Sequence, residues 1–319
     1  HGESKYIDCL ERTLYNGVIS GMSMDGGRFF YPNPLSSDGK YAFNADNTKT
    51  RQPWFGCACC PSNLCRFIPS VPGYLYGVKD NNIYVNLFAG NTSTIKVQGK
   101  DVVLEETTEY PWNGDIKIAV KKSGVKNANL LVRIPGWVRN QVVPSDLYKY
   151  SDAEKPAYTV TVNGKAVEAD LDANKGYLPV KNIKKGDVIR IHFDMPVRTV
   201  VANNKVADDK GKVAVERGPL VYCAEAVDNS NEPVLRAVVA KKPTFTLVDN
   251  YSIQNTETKG APAFSVKAIK TDAQVLEEGA NGISVKNNKL TLIPYYAWNH
   301  RGANEMNVWF IQNLSMLDK

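Results

Sequence analysis

The sequence predicts a mainly β protein: a short helical segment followed by two β-sandwich domains. Two observations carry this. Helical periodicity is confined to the first residues. From about residue 74 onward, short runs alternate apolar and polar side chains between turn signals. The 319-residue length suits two or three domains, and 43% hydrophobic residues suffice for real cores without a disulfide framework. The predicted division is 1–73, 74–205 and 206–319.

The first element is a helix. In "SKYIDCLERTLYNGVISGM", Tyr6, Ile7, Leu10, Leu14, Tyr15 and Val18 recur at steps of three and four, with Ser4 as N-cap and Gly17 or Gly21 near the end. A stretch rich in Gly, Pro, Asn, Asp and Ser follows, up to "RQPWFG". A loop this long in a compact domain points to function. A second, short helix is expected after the cysteines, capped by Ser62 or Asn63 and stopped by Pro69 and Pro72.

The β region then begins. "IYVNLFAG", "DIKIAVKK", "NLLVRIPGW", "YTVTVNGKAVE" and "DVIRIHFDMPV" alternate in character, with Asn163-Gly164 and Lys185-Gly186 as turns. After the polar, linker-like "ANNKVADDKGK", a second set includes "RGPLVYCAEA", "FSVKAIK" and "KLTLIPYYAW".

Net charge is +6 with the cations scattered, which argues against nucleic acid as a partner. No apolar run approaches the ~20 residues of a membrane helix, so no membrane partner is expected, and no signal peptide is apparent. The opening residues already read as the body of a domain, so a longer protein is expected.

Chemistry concentrates in "QPWFGCACCPSNLCRF", which holds Cys57, Cys59, Cys60 and Cys65. Three readings compete for the first three: disulfides, inert buried thiols, or a thiolate site for metal or catalysis. Adjacent cysteines bridge only with strain, and three thiols between Gly56 and Pro61 are unusual as packing. A C-x-C-C run can supply two or three sulfur ligands to zinc, with the rest from elsewhere. The only histidines are His1, His192 and His300, and His192 sits in an alternating strand. A Cys–His dyad is therefore unsupported, and zinc is the better activator of a thiolate.

These residues resemble a known family. "RFFYPNPLSSDG", "QPWFGCACCPSNLCRFIPSVPGYLYG", "LLVRIPGW", "MPVRTVVAN", "RGPLVYCAEA" and "IPYYAWNHRG" are similar, in that order, to the β-L-arabinofuranosidases of glycoside hydrolase family 127 and the related family 146. The resemblance implies the last piece of an (α/α)6 helical barrel, followed by sandwiches that support it and help subunits associate, so a homodimer is possible. It implies a retaining glycosidase acting on an oligosaccharide or plant glycan. Cys59 would be the nucleophile and, with Cys60, a zinc ligand. Tyr31 would line the sugar site and Glu11 would grip sugar hydroxyls. The family's acid/base glutamate and its other zinc ligands, a glutamate and a cysteine, lie upstream. The isolated chain is therefore expected to be inactive and to hold zinc poorly. Cys65 departs from the small apolar residue expected there and reads as packing. The setting implied is glycan degradation, as in a bacterial periplasm. The alternative is a carbohydrate-binding or structural β-sandwich module, with Tyr295, Tyr296 and Trp298 as the sugar-stacking aromatics.

Overall fold

The computed structural model describes residues 2–279 and 282–312. Strands dominate, at 41% against 16% helix. The chain forms two compact units, each built from separated segments.

The first unit comprises His1–Glu11, Ile68–Ser145 and Ala153–Pro196. It contains two sheets. The larger is fully antiparallel, in the order Lys165–Ala166, Tyr158–Val162, Val188–Phe193, Asp115–Ser123, Lys100–Thr108, Asn91–Val97. The smaller runs Tyr177–Val180, Asn129–Arg133, Asn82–Val85, Tyr76–Lys79, with its two central strands parallel. Period-2 patterning sets their faces: Ile116, Ile118 and Val120 are buried, as are Ile189, Ile191 and Phe193, while Lys117, Arg190 and His192 point to solvent. The smaller sheet contributes Ile83, Val85, Leu130, Val132, Leu178 and Val180 to the interior. Phe88 packs against both Phe193 and Tyr110, and the Tyr76 hydroxyl reaches buried Glu106 on the larger sheet, 3.0 Å away.

The second unit comprises Arg12–Phe67, Asp146–Asp152 and the chain from Val197 onward. Its strands form one 11-stranded hydrogen-bonded sheet. Strands Lys212–Arg217 and Leu220–Glu225 pair with each other, and also with the two ends of the run Gly282–Pro294, Phe264–Gly279, Ala237–Val239, Phe310–Ile311. The hydrogen bonding thus closes into a ring of six, and closure leaves those strands without open edges.

One predicted boundary is corrected. The polar stretch around residue 205 is a hairpin connection: Val197–Ala202 pairs with Lys212–Arg217 and, on its other side, with Tyr148–Tyr150. Polarity marked solvent exposure of a turn, which a turn and an interdomain linker share.

The helices also differ in detail. The first, α1 (Ser4–Arg12), passes into a π-helical turn, Thr13–Val18, and a 3-10 turn, Ile19–Gly21. Asn16 explains the change of winding. Its amide donates to the Arg12 carbonyl at 2.8 Å and the Pro219 carbonyl at 2.9 Å, and its oxygen accepts from the Val221 N–H. A side chain that occupies the i−4 carbonyl competes with the regular ladder. Ser4 is the first helical residue, with its backbone N–H bonded to the Lys175 carbonyl. Gly176 faces it with φ +84°, where a Cβ would lie 2.0 Å from the Ser4 hydroxyl. The second helix, α2 (Cys59–Ser70), starts at Cys59 rather than after a cap at Ser62 or Asn63. Pro61 falls in its first turn, where the missing N–H costs no helical bond.

Candidate functional site

The loop-rich stretch before α2 is anchored throughout. Arg51 is fully buried and donates to the Ser20 carbonyl at 2.9 Å, to the Trp298 carbonyl at 2.9 Å and to Glu257 at 3.2 Å. Its guanidinium also covers the Phe30 ring, and Phe30 stacks on Trp298 with centroids 5.2 Å apart. Desolvation is the main influence on Glu257 and raises its pKa, against the pull of Arg51. Phe29 and Gln52 exchange backbone hydrogen bonds, which fixes the two sides of the loop together.

From this frame Tyr31 is held in three ways. Its N–H donates to Asn44 Oδ1 at 2.9 Å, its ring packs edge-on against Phe55 at 4.8 Å, and its hydroxyl lies 3.5 Å from Cys59 Sγ. Cys59 is the first residue of α2, where unpaired N–H groups and the helix dipole favour an anion. Its thiol pKa is lowered, first by the Tyr31 hydroxyl and next by the Cys60 side chain. The phenol pKa of Tyr31 is raised, chiefly by the same contact, so the phenol keeps its proton and can donate it in a hydrogen bond to a thiolate. Burial, followed by Cys59, pushes the Cys60 thiol up. Of the adjacent pair, Cys59 is the thiol pushed toward ionisation, with a donor beside it.

Cys59 and Cys60 have their sulfurs 3.9 Å apart. Two sulfurs each ~2.3 Å from a tetrahedral zinc would be about 3.8 Å apart, so the pair fits as two of four donors. It is not a full site: among the described residues, no group of three or more His, Cys, Asp or Glu side chains could hold a metal.

The structure brings Tyr31, Cys59 and Cys60 together, with Cys57 exposed close by in sequence. Glu11 belongs to the other compact unit. There it is buried, ion-paired with Arg133 through both oxygens, and accepts a 2.8 Å hydrogen bond from the Tyr110 hydroxyl. Although Glu11 lies on a surface helix by pattern, it is not solvent-exposed. Cys65, expected to pack, is exposed. Tyr295, Tyr296 and Trp298, the aromatics of the binding-module alternative, are 3%, 5% and 0% exposed and so offer no surface for stacking. Trp298 instead stacks within the core on Phe30, Phe43 and Tyr295. His192 is an exposed strand residue between Asp115 and Asp194, which raise its pKa, with Asp115 the larger influence.

Sequence reasoning missed Asn44, Phe55 and Trp54. Trp54 is 54% exposed and held edge-on by Phe29 at 6.0 Å. The signal was the aromatic pair in "QPWFG", directly before the cysteines. No helix of the described residues is long and apolar enough to cross a membrane.

Residues 1–73 match the catalytic domain of the GH127 β-L-arabinofuranosidases, residues 82–195 their middle domain and residues 197–311 the family 127 C-terminal domain. The chain is 32% identical, over 96% of its length, to a non-reducing end β-L-arabinofuranosidase of Bifidobacterium longum subsp. longum, and covers 45% of that protein. Among solved structures it is similar to a GH127 β-arabinofuranosidase, with TM-score 0.88 and 51% identity over 99% of this chain and 47% of that one. It is also similar to a GH127 β-L-arabinofuranosidase from Geobacillus stearothermophilus T6, with TM-score 0.79 and 31% identity over 98% and 47%. The chain thus spans about half the length of the relatives it matches. Three models of one family, matched in order along nearly all of the sequence, show that the chain belongs to glycoside hydrolase family 127.

Proposed function

We propose that this chain is the C-terminal part of a retaining glycosidase that releases β-L-arabinofuranose from plant glycans, with Cys59 as nucleophile. The observation that carries it is the Tyr31–Cys59 contact at the start of α2. A glycosidase nucleophile must be an anion at working pH and must be aimed, and the surroundings of this thiol push it toward ionisation. The helices of residues 1–73 are read as the last piece of a helical barrel, and the sheets that follow in sequence as its sandwich supports.

The thiolate of Cys59 attacks the anomeric carbon. A C–S bond forms as the glycosidic C–O bond breaks, and the leaving oxygen takes a proton from an acid. Water then attacks the same carbon, the acid now acts as base, and the thiolate leaves, so configuration is retained. Tyr31 donates a hydrogen bond to the sulfur whenever it is anionic, and the Asn44 and Phe55 contacts fix where that donor points. Cys59 and Cys60 are the residues of this chain that would hold zinc, and bound zinc keeps a thiol ionised at neutral pH. The acid and the remaining donors are assigned to the half of the relatives' length that this chain does not span, so the 319 residues alone do not turn over substrate.

The test is to trap the intermediate in a full-length protein carrying this segment, using a slow β-L-arabinofuranoside and peptide mass spectrometry. A sugar adduct on Cys59, absent in Cys59→Ala, is expected. An adduct on any other residue, or turnover that survives Cys59→Ala, sinks the reading.

A further inference from the structure

The loop that leads into Cys59 carries an aromatic ring that the reaction above does not use. Trp54 lies five residues before Cys59 and is 54% exposed. We infer that Trp54 is a stacking platform for the leaving-group sugar, and so helps to select which glycans are cleaved. The inference rests on the reading of Cys59 as nucleophile.

The ring is fixed before any ligand arrives. Two residues earlier, Gln52 exchanges backbone hydrogen bonds with Phe29 at 2.8 and 2.9 Å. Phe29, itself buried, meets Trp54 at 82° between planes. Such an edge-to-face contact engages at most one face of the indole and leaves the other open. Phe55 takes the inward position instead, buried against Tyr31. Trp54 is thus held outward by its neighbours on both strands of the loop. Stacking on a ring already in place loses little conformational freedom.

The ring is also close to the chemistry. The Phe55 ring lies 4.8 Å from the Tyr31 ring, whose hydroxyl lies 3.5 Å from the Cys59 sulfur. The residue next to Trp54 is therefore two contacts from the nucleophile. Between Trp54 and Cys59, Gly56 and Cys57 are exposed, and a Cβ at Gly56 would meet nothing within 4 Å. The stretch between ring and sulfur has open space beside it.

The reaction decides which sugar uses that space. The arabinose must bring its anomeric carbon to about 3–3.5 Å from the sulfur, beside Tyr31 and Cys60. When a terminal arabinose is released, the rest of the glycan lies on the leaving-group side. An aromatic on the loop rim, not against the sulfur, meets that remainder. The C–H face of a sugar ring is apolar and packs on an indole face. No side chain from Gln52 to Ala58 is charged, which suits a neutral sugar.

The test uses the full-length protein carrying this segment, with a neutral β-L-arabinofuranosyl disaccharide and methyl β-L-arabinofuranoside as substrates. Trp54→Ala should lower kcat/KM for the disaccharide about tenfold more than for the methyl glycoside, mainly through KM. Trp54→Phe, which keeps a flat face, should recover most of the difference. Trp54→Leu, which keeps only apolar bulk, should not. The Phe and Leu variants decide the question even where the Ala variant does not fold. Equal losses on both substrates would assign Trp54 to the fold, to packing within the longer protein or to the arabinose itself, and overturn the inference. No loss on either, or rescue by Leu equal to that by Phe, overturns it as well. The Cys59 adduct is read in the same variants. An adduct on Cys59 without the substrate difference sinks this inference alone, whereas an adduct elsewhere sinks the nucleophile reading and this one with it.

Discussion

The Tyr31 hydroxyl lies 3.5 Å from the sulfur of Cys59, and it is the largest influence lowering that thiol's pKa. Removing it in Tyr31→Phe should move the pKa of Cys59 back up. Alkylation of Cys59 by iodoacetamide, followed by peptide mass spectrometry across pH 6–9, should slow at neutral pH by up to about tenfold and recover at high pH. A rate that falls equally at every pH would mean that Tyr31 acts on access to the thiol and not on its ionisation.

The two sulfurs at 3.9 Å supply half of a zinc site, and the described residues supply no third donor to it. The purified 319-residue chain should therefore carry well under one zinc per molecule by elemental mass spectrometry, with its thiols titratable. Stoichiometric zinc that disappears in Cys60→Ser would show that the chain completes the site by itself.

Glu11 and Arg133 form a buried ion pair, with Asp8 as a second partner of the same guanidinium at 2.8 Å. Removing one member of such a pair leaves an uncompensated charge in the interior, which costs about 3–5 kcal/mol when the pair is fully buried. Glu11→Ala should lose roughly the lower end of that range in urea denaturation, because Asp8 still compensates Arg133. An unchanged midpoint, with altered sugar affinity in the full-length protein, would instead favour the sugar-gripping role the family resemblance implies.

Glu106 is a buried carboxyl, 3% exposed, held by the Tyr76 hydroxyl and the Ala89 N–H. Burial pushes its pKa up to about 8, from an ordinary value of 4.5. The folded chain thus keeps this proton where the unfolded chain has released it. The stabilisation is complete below about pH 4.5 and is lost as pH rises through about 8. Across that window, the contribution of Glu106 to stability should fall by an amount on the order of a few kcal/mol. Glu106→Gln should flatten the decline in a pH series of denaturation midpoints, and a slope unchanged by the variant would remove Glu106 as its source.

Much was legible in the sequence. Period-2 alternation located the strands and their buried faces, as in Asp115–Ser123 and Val188–Phe193, because half-buried sheets impose that pattern locally. The clustered cysteines beside an aromatic-rich loop marked the candidate site, because few other roles gather thiols so closely. Pairing was not legible. Alternation says which face of a strand is apolar and nothing about its neighbours, so the hairpin from Val197–Ala202 to Lys212–Arg217 read as a linker. Side chains with two possible fates were decided only by long-range neighbours. Glu11 is buried because Arg133, 122 residues on, arrives with a matching guanidinium. Trp298 is core because Phe30 and Phe43 stack on it, and Cys65 is exposed because α2 turns that position outward. Local patterns are written in neighbouring residues. Burial of a charge or an aromatic ring depends on partners that only the folded chain brings within reach.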